Sequence, residues 1–458
     1  MASGTIQQTI SLLQEALLGL DVRIPLIKLE DIGIMIHEAM TVQARSFHTP
    51  AHIFELADAS NPVQALAALF HDVVYYQVDE GFTPEIAAVL RPYIEIEGDQ
   101  IRLESMSEDD SVAFRITLTV FDFEPGQILP PQQGQNEFLS ALLMNQQLIG
   151  RVPASDLAKV TACIEATIPF RGDSTRGESP ADLLEKRLKA LNRRLALGMA
   201  KSEIYEAVRW AVAFSNRDVD NFSERDTGSF LDNTWKLLPE SNPSLRLRGI
   251  YTIGSYRRAL QKMEAFLGQL DPETIFNEYR GEPPPGEYQR MVALAHRNVT
   301  TARKYLGIKL IAAAVLEALA DITGGDAPVA LFMGAIDRGE NARRFEDYLP
   351  QIKTDTSVDE LSTLFGLLAF GRASSSSFDL QNSPLALFIF KKLGWDRIQR
   401  LLERAKMMFR GELSAAEFLT ELPPNMVIEI TRACAAMAST RREALLAYAQ
   451  FVAQANDG

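Results

Sequence analysis

The chain predicts a mostly α protein with one small antiparallel β insertion. Apolar residues recur at steps of three and four through much of its 458 residues, the spacing of helices buried along one side. Between about 92 and 124 that period gives way to alternation around an EGDQ turn, which signals a hairpin. From residue 136 the helical period resumes and holds nearly to the C-terminus.

Residues 5–20 place Ile6, Ile10, Leu13, Leu17 and Leu20 on one side of an amphipathic helix. Residues 28–44 and 50–58 form the next two, with Ser46 or Thr49 as cap and Pro50 suited to a first turn. Asn61-Pro62 begins a fourth that runs to about Tyr76. In the insertion, PYIEIEGDQIRLES alternates on both sides of the turn, and DSVAFRITLTVFDF adds β-branched and aromatic residues. Three strands are therefore expected over 92–124, serving as a packing or dimer contact or as a lid. PGQILPPQQGQ is the loop back to helix. Further helices are expected at about 136–148, 154–166, 178–197, 201–215, 245–268, 287–302 and 304–322. A chain of this length exceeds what one core usually organises. We divide it into residues 1–240 and a helical region 241–458, with a further boundary near 325 at Gly324-Gly325-Asp326. The later region has no strand signal and no ligand cluster, and is read as a surface for partner contact or homo-oligomerisation.

With 46 basic and 60 acidic residues the net charge is −14. That argues against nucleic acid or an anionic membrane as partner, while leaving room for a local basic pocket. Cys163 and Cys434 lie far apart inside helical patterns, which fits a reducing compartment without disulfides. The N-terminus lacks a signal-peptide pattern, and no apolar run is long enough to span a bilayer. A cytoplasmic protein is expected.

Chemistry concentrates in a few residues. Four of the five histidines, His37, His48, His52 and His71, fall within the first 71 residues. His52, the adjacent His71-Asp72 pair and the later Asp218 have the residue types of a metal site, since imidazole with carboxylate suits Mg²⁺, Mn²⁺, Fe²⁺ or Zn²⁺. His71-Asp72 ends an apolar run, and a carboxylate buried there needs compensation that a cation would supply. Asp218 is preferred to Asp220 because it follows the apolar run AVRWAVAF by four residues. His37 is read as structural and His296 as a surface residue. Walker A, G-x-S-x-G, paired C-x-x-C and a strand-borne G-x-G-x-x-G are absent.

Five pieces in order, FHTPAHI (47–53), FHDVVY (70–75), NEFLSA (136–141), IEAT (164–167) and NRDVDNF (216–222), resemble the predicted metal-dependent phosphohydrolases of the HD superfamily. The resemblance covers about residues 35–235. It implies a helical bundle of HD type in which His52, His71, Asp72 and Asp218 hold one divalent ion, Mn, Mg, Fe or Zn. It also implies pocket positions for His48 and Glu137, with Glu137 or His48 relaying a proton. The family usually carries a further His shortly after IEAT, where this chain reads IPFRGDS with Arg171, so a second metal is not expected. The connection from Asp72 to Asn136 is also longer than the family's. Arg171 and Lys159 are candidates to hold a substrate phosphate, since basic side chains match phosphate oxygens. The implied activity is hydrolysis of a nucleotide or another small phosphorylated metabolite. The alternatives are a regulatory or binding protein with a vestigial pocket, and an iron-dependent oxygenase of HD type.

Overall fold

The computed structural model describes residues 2–98, 100–105, 111–247, 250–334, 344–351, 362–374, 376 and 378–457. The fold is mostly α, with one two-stranded antiparallel sheet. Two units interleave along the chain, one made of 1–223 and 271–296, the other of 224–270 and 297–458. No single cut at residue 240 describes that arrangement.

Helix Ala154–Ala166 is central to the first unit. Around it pack Lys201–Asp218, Pro62–Phe70, Val112–Phe121, Gln135–Leu148 and Pro180–Leu195. Leu157, Ala158, Val160, Cys163 and Ile164 on the central helix are wholly buried, as are Leu66, Phe70, Phe138, Leu142, Val208 and Phe214 on its neighbours. Local chemistry sets several of the helix starts. Asn61 accepts hydrogen bonds from the amides of Val63 and Gln64 at 3.1 and 3.2 Å, and Ser179 and Asp182 form a reciprocal cap for Pro180–Leu195.

The β insertion is smaller than expected. Ile94–Glu97 pairs with Gln100–Leu103, Ile94 opposite Leu103 and Glu97 opposite Gln100. Gly98 adopts a left-handed φ of 62° in the turn, a conformation glycine takes at no steric cost. Asp99 and residues 106–110 lie outside the described residues. The expected third strand is instead the helix Val112–Phe121. Its β-branched content misleads because Phe114, Thr117, Leu118 and Phe121 also fall at helical spacing and are buried. Its hydroxyls turn inward on the helix, Thr117 Oγ1 donating to the Ala113 carbonyl and Thr119 Oγ1 to that of Arg115. Burial of that face against other helices outweighs local β preference.

Three other expectations change. The helix from Pro62 stops at Phe70, not Tyr76. The helix expected over 245–268 begins at Ile253, capped by Thr252, after a single turn at Pro243–Arg246. The pieces expected at 287–302 and 304–322 are one helix, Pro285–Ile322. In the second unit, helices Pro424–Met437 and Arg442–Asp457 pack on each other. Both cysteines are buried and free. Among the described residues no helix is long and apolar enough to cross a membrane.

Candidate metal centre

The helix that ends at Phe70 does so because the backbone beyond it is claimed by distant side chains. The amide of Val74 donates to Ser140 Oγ at 3.0 Å, and that of Tyr76 to Asn136 Oδ1 at 3.2 Å. Arg45, fully buried, donates to the carbonyls of Asp72 at 2.7 Å and Val73 at 3.3 Å. The same guanidinium grips Asp79 with two parallel bonds of 2.9 and 2.5 Å. An isolated helical continuation would satisfy these groups within itself. Here the loop is pinned open, and His71 and Asp72 are turned toward one point.

His52, in the first turn of helix Pro50–Leu56, and Asp218, the last residue of Lys201–Asp218, reach the same point. His52, His71 and Asp218 each offer an atom within 4.8 Å of the other two, so the three form a group able to hold a metal ion. His52 Nε2 lies 3.1 Å from Asp218 Oδ1 and 3.8 Å from Asp72 Oδ2. His71 Nδ1 donates to the Ala68 carbonyl at 3.0 Å. In a neutral ring that leaves Nε2 as a bare lone pair, the orientation metal-bound imidazoles commonly show. This Nε2 is buried and sits 2.9 Å from Asp72 Oδ2 and 3.6 Å from Asp218 Oδ1. A lone pair aimed at two carboxylates is repulsive unless a proton or a metal ion lies among them. The donor set therefore fits a cation.

The titration behaviour has the same origin. Burial disfavours the charged form of His71, but Asp72 and Asp218 outweigh it and hold the imidazole well above its ordinary value. Burial would raise Asp72, yet His71 first, then His48 and His52, keep it well below the carboxylate range. Asp218 is likewise pushed up by burial and pulled down, to about 2, by bonds to His52 and His71. Glu137 behaves in the opposite way. Burial, then the charges of Asp72 and Asp218, raise it to about 7, with Arg171 working against them.

Most of the expected residues meet here. His48 lies beside the group, its Nε2 3.9 Å from Asp72 Oδ2 and its ring edge-on to Tyr75. Glu137 is near enough to feel both aspartates and Arg171. Asp220 faces outward and bonds Ser223. Arg171 is neither free nor a solvated loop charge. With Arg187 it grips the buried Glu165, at 2.5 and 2.8 Å. Lys159 belongs elsewhere, because it pairs with Asp156 and Glu203. Glu203 is near the start of the helix that ends at Asp218, about 22 Å away at 1.5 Å per residue. Lys159 therefore plays no part in this site.

In the sequence Asn136 and Ser140 stand only as part of NEFLSA, without a role, and Arg45 has none, yet these groups shape the site. Asn136 and Ser140 are four apart and share a helix face, a spacing that marks a clamp once their partner strip is known. Arg45 carries no such signal, since an arginine in sequence is ordinarily taken for a surface charge. Compared with known family models, curated proteins and solved structures, the chain matches none.

Proposed function

We propose that the protein is a metal-dependent phosphohydrolase of HD type, acting on a nucleotide or another small phosphorylated metabolite. One observation carries the reading: the buried His71 Nε2, its ring fixed by Ala68, faces the carboxylates of Asp72 and Asp218 at the point His52 also reaches. Asp72 joins His52, His71 and Asp218 as the fourth ligand. A single divalent ion held there, Mn, Mg, Fe or Zn, would supply Lewis acidity toward water and a phosphoryl oxygen. Glu137, with a carboxyl that changes charge near pH 7, takes up and returns the proton at neutral pH. His48, close to Asp72, is the second group placed for that transfer. Arg171 puts a positive charge near Glu137, which favours an anionic substrate.

The test is metal analysis of purified protein together with hydrolysis of a panel of nucleotides and phosphorylated metabolites. One ion per chain is expected, lost in His71→Ala. Asp72→Ala should lower hydrolysis by several orders of magnitude, since Lewis acidity contributes several kcal/mol to such reactions. Equal hydrolysis by wild type and Asp72→Ala would end the enzymatic reading in favour of a vestigial pocket. Two ions per chain would overturn the single-ion assignment.

A further inference from the structure

The second unit contains a pocket partly open to solvent. It is independent of the metal group, and its lining is divided sharply by polarity. Ala312, Ala313 and Leu316 from helix Pro285–Ile322, with Ile253, Val329 and Met333, supply hydrocarbon. The polar lining comes from Lys309, Asp379, Asn382 and the hydroxyl-bearing Tyr251, Tyr256 and Ser383.

Charge within the polar lining is balanced. Lys309 Nζ donates to Asp379 Oδ2 at 2.7 Å and to Ser383 Oγ at 3.3 Å. The same carboxylate oxygen accepts from Trp235 Nε1 at 2.8 Å, Tyr256 OH at 2.9 Å and Arg372 at 3.3 Å. Arg372, fully buried, pairs in turn with Asp232 at 3.3 Å. Two cations thus face two carboxylates. The rings of Trp235, Tyr256 and Tyr305 surround the Lys309 ammonium at 5.4, 5.6 and 5.8 Å, which adds cation–π attraction.

An entering ion of either sign would upset that balance and be buried without a partner, at high cost. A neutral polar group meets capacity still unused. Among the described residues the Asn382 amide makes no hydrogen bond, and Asp379 is bonded through Oδ2 alone. A hydroxyl can donate to a carboxylate oxygen and accept from an amide at once. We propose that this pocket binds an uncharged, hydrocarbon-rich molecule bearing a hydroxyl, an alcohol or a phenol, with the hydroxyl between Asp379 and Asn382.

Calorimetric titration of the full chain with 1-octanol, octanoate and octylammonium tests this. Saturable binding of one 1-octanol per chain is expected, with the two ions at least about tenfold weaker. Asn382→Ala should weaken octanol binding about fivefold, the usual effect of one lost neutral hydrogen bond, without moving the melting temperature. Ala330→Trp, at a half-buried lining position, should abolish binding by filling the pocket. Absence of saturable octanol binding to wild type overturns the proposal, as does equal affinity for all three probes. So does undiminished binding in Asn382→Ala, a variant mild enough to be read even if Ala330→Trp fails to fold.

Discussion

Glu137 and Arg45 show how single residues answer to groups far away in sequence. A carboxyl raised to about 7 binds a proton in the folded state that the unfolded chain releases near its ordinary value of 4.5. Stability of metal-free protein should therefore decline as pH rises from about 4.5 to 7, at no more than about 1.4 kcal/mol per pH unit. In Glu137→Gln that slope should flatten, and denaturant melts of the two proteins at pH 5 and pH 8 would show it. An identical pH difference in both would refute the assignment. Arg45→Met removes a buried cation while leaving Asp79 and two carbonyls without their donor. A loss of about 3–5 kcal/mol is expected, together with lower metal content, because the loop that aims His71 and Asp72 loses its anchor. Unchanged metal content in a folded Arg45→Met protein would show that the clamp only stabilises.

At the level of elements, the segment 92–124 combines two parts with different weight. The hairpin leaves Ile96 largely exposed, whereas helix Val112–Phe121 buries Phe114, Ile116, Val120 and Phe121. Phe114→Ala should cost about 3–5 kcal/mol, and Ile96→Ala should stay within about 0.5 kcal/mol. Equal effects in chemical denaturation would contradict this division. Deleting the whole segment should unfold the first unit, not merely uncover a pocket. The helix is further tied in by Asn145, which donates to Thr117 at 3.0 Å and to Thr161 at 2.9 Å, joining three helices through one buried amide.

Across the whole molecule, each unit holds its own buried ionic cluster. In the first, burial raises Glu165 but Arg171 and Arg187 outweigh it and hold the carboxyl below its usual range. In the second, Lys309 and Arg372 do the same for Asp379. Both carboxyls titrate lower in the folded chain than in the unfolded one. Their contribution is thus complete above the ordinary carboxylate value of about 4 and is lost as pH falls through the folded values. Stability should drop steeply below pH 4, and less so in Glu165→Gln if that variant folds. Lys309→Met breaks a pair whose members are 7% and 13% exposed, with an expected loss of about 3–5 kcal/mol. Scanning calorimetry would register the loss, while metal content per chain should match wild type. A fall in metal content would show that the cluster of the second unit also supports the metal group.

Periodicity with turn and cap residues was enough to establish the helical class, the position of the two-stranded hairpin and the starts of several helices of the first unit, because Asn61, Ser179 and similar caps act within a few residues of themselves. Residue type and order likewise picked out His52, His71 and Asp218, which do come together. Tertiary structure decided the rest. Helix Pro62–Phe70 is buried along nearly its whole length, so its pattern carries no sign of where it ends. That end is set by Arg45, Asn136 and Ser140, whose hydrogen bonds replace the next helical turn. Residues 112–121 read as strand by composition and fold as helix because the available partners are helices. Lys159 and Arg171 look alike in sequence, yet one is held at the far end of a helix and the other beside Glu137. Local propensity is written in neighbouring residues, whereas the placement of a charge depends on which distant groups are buried with it.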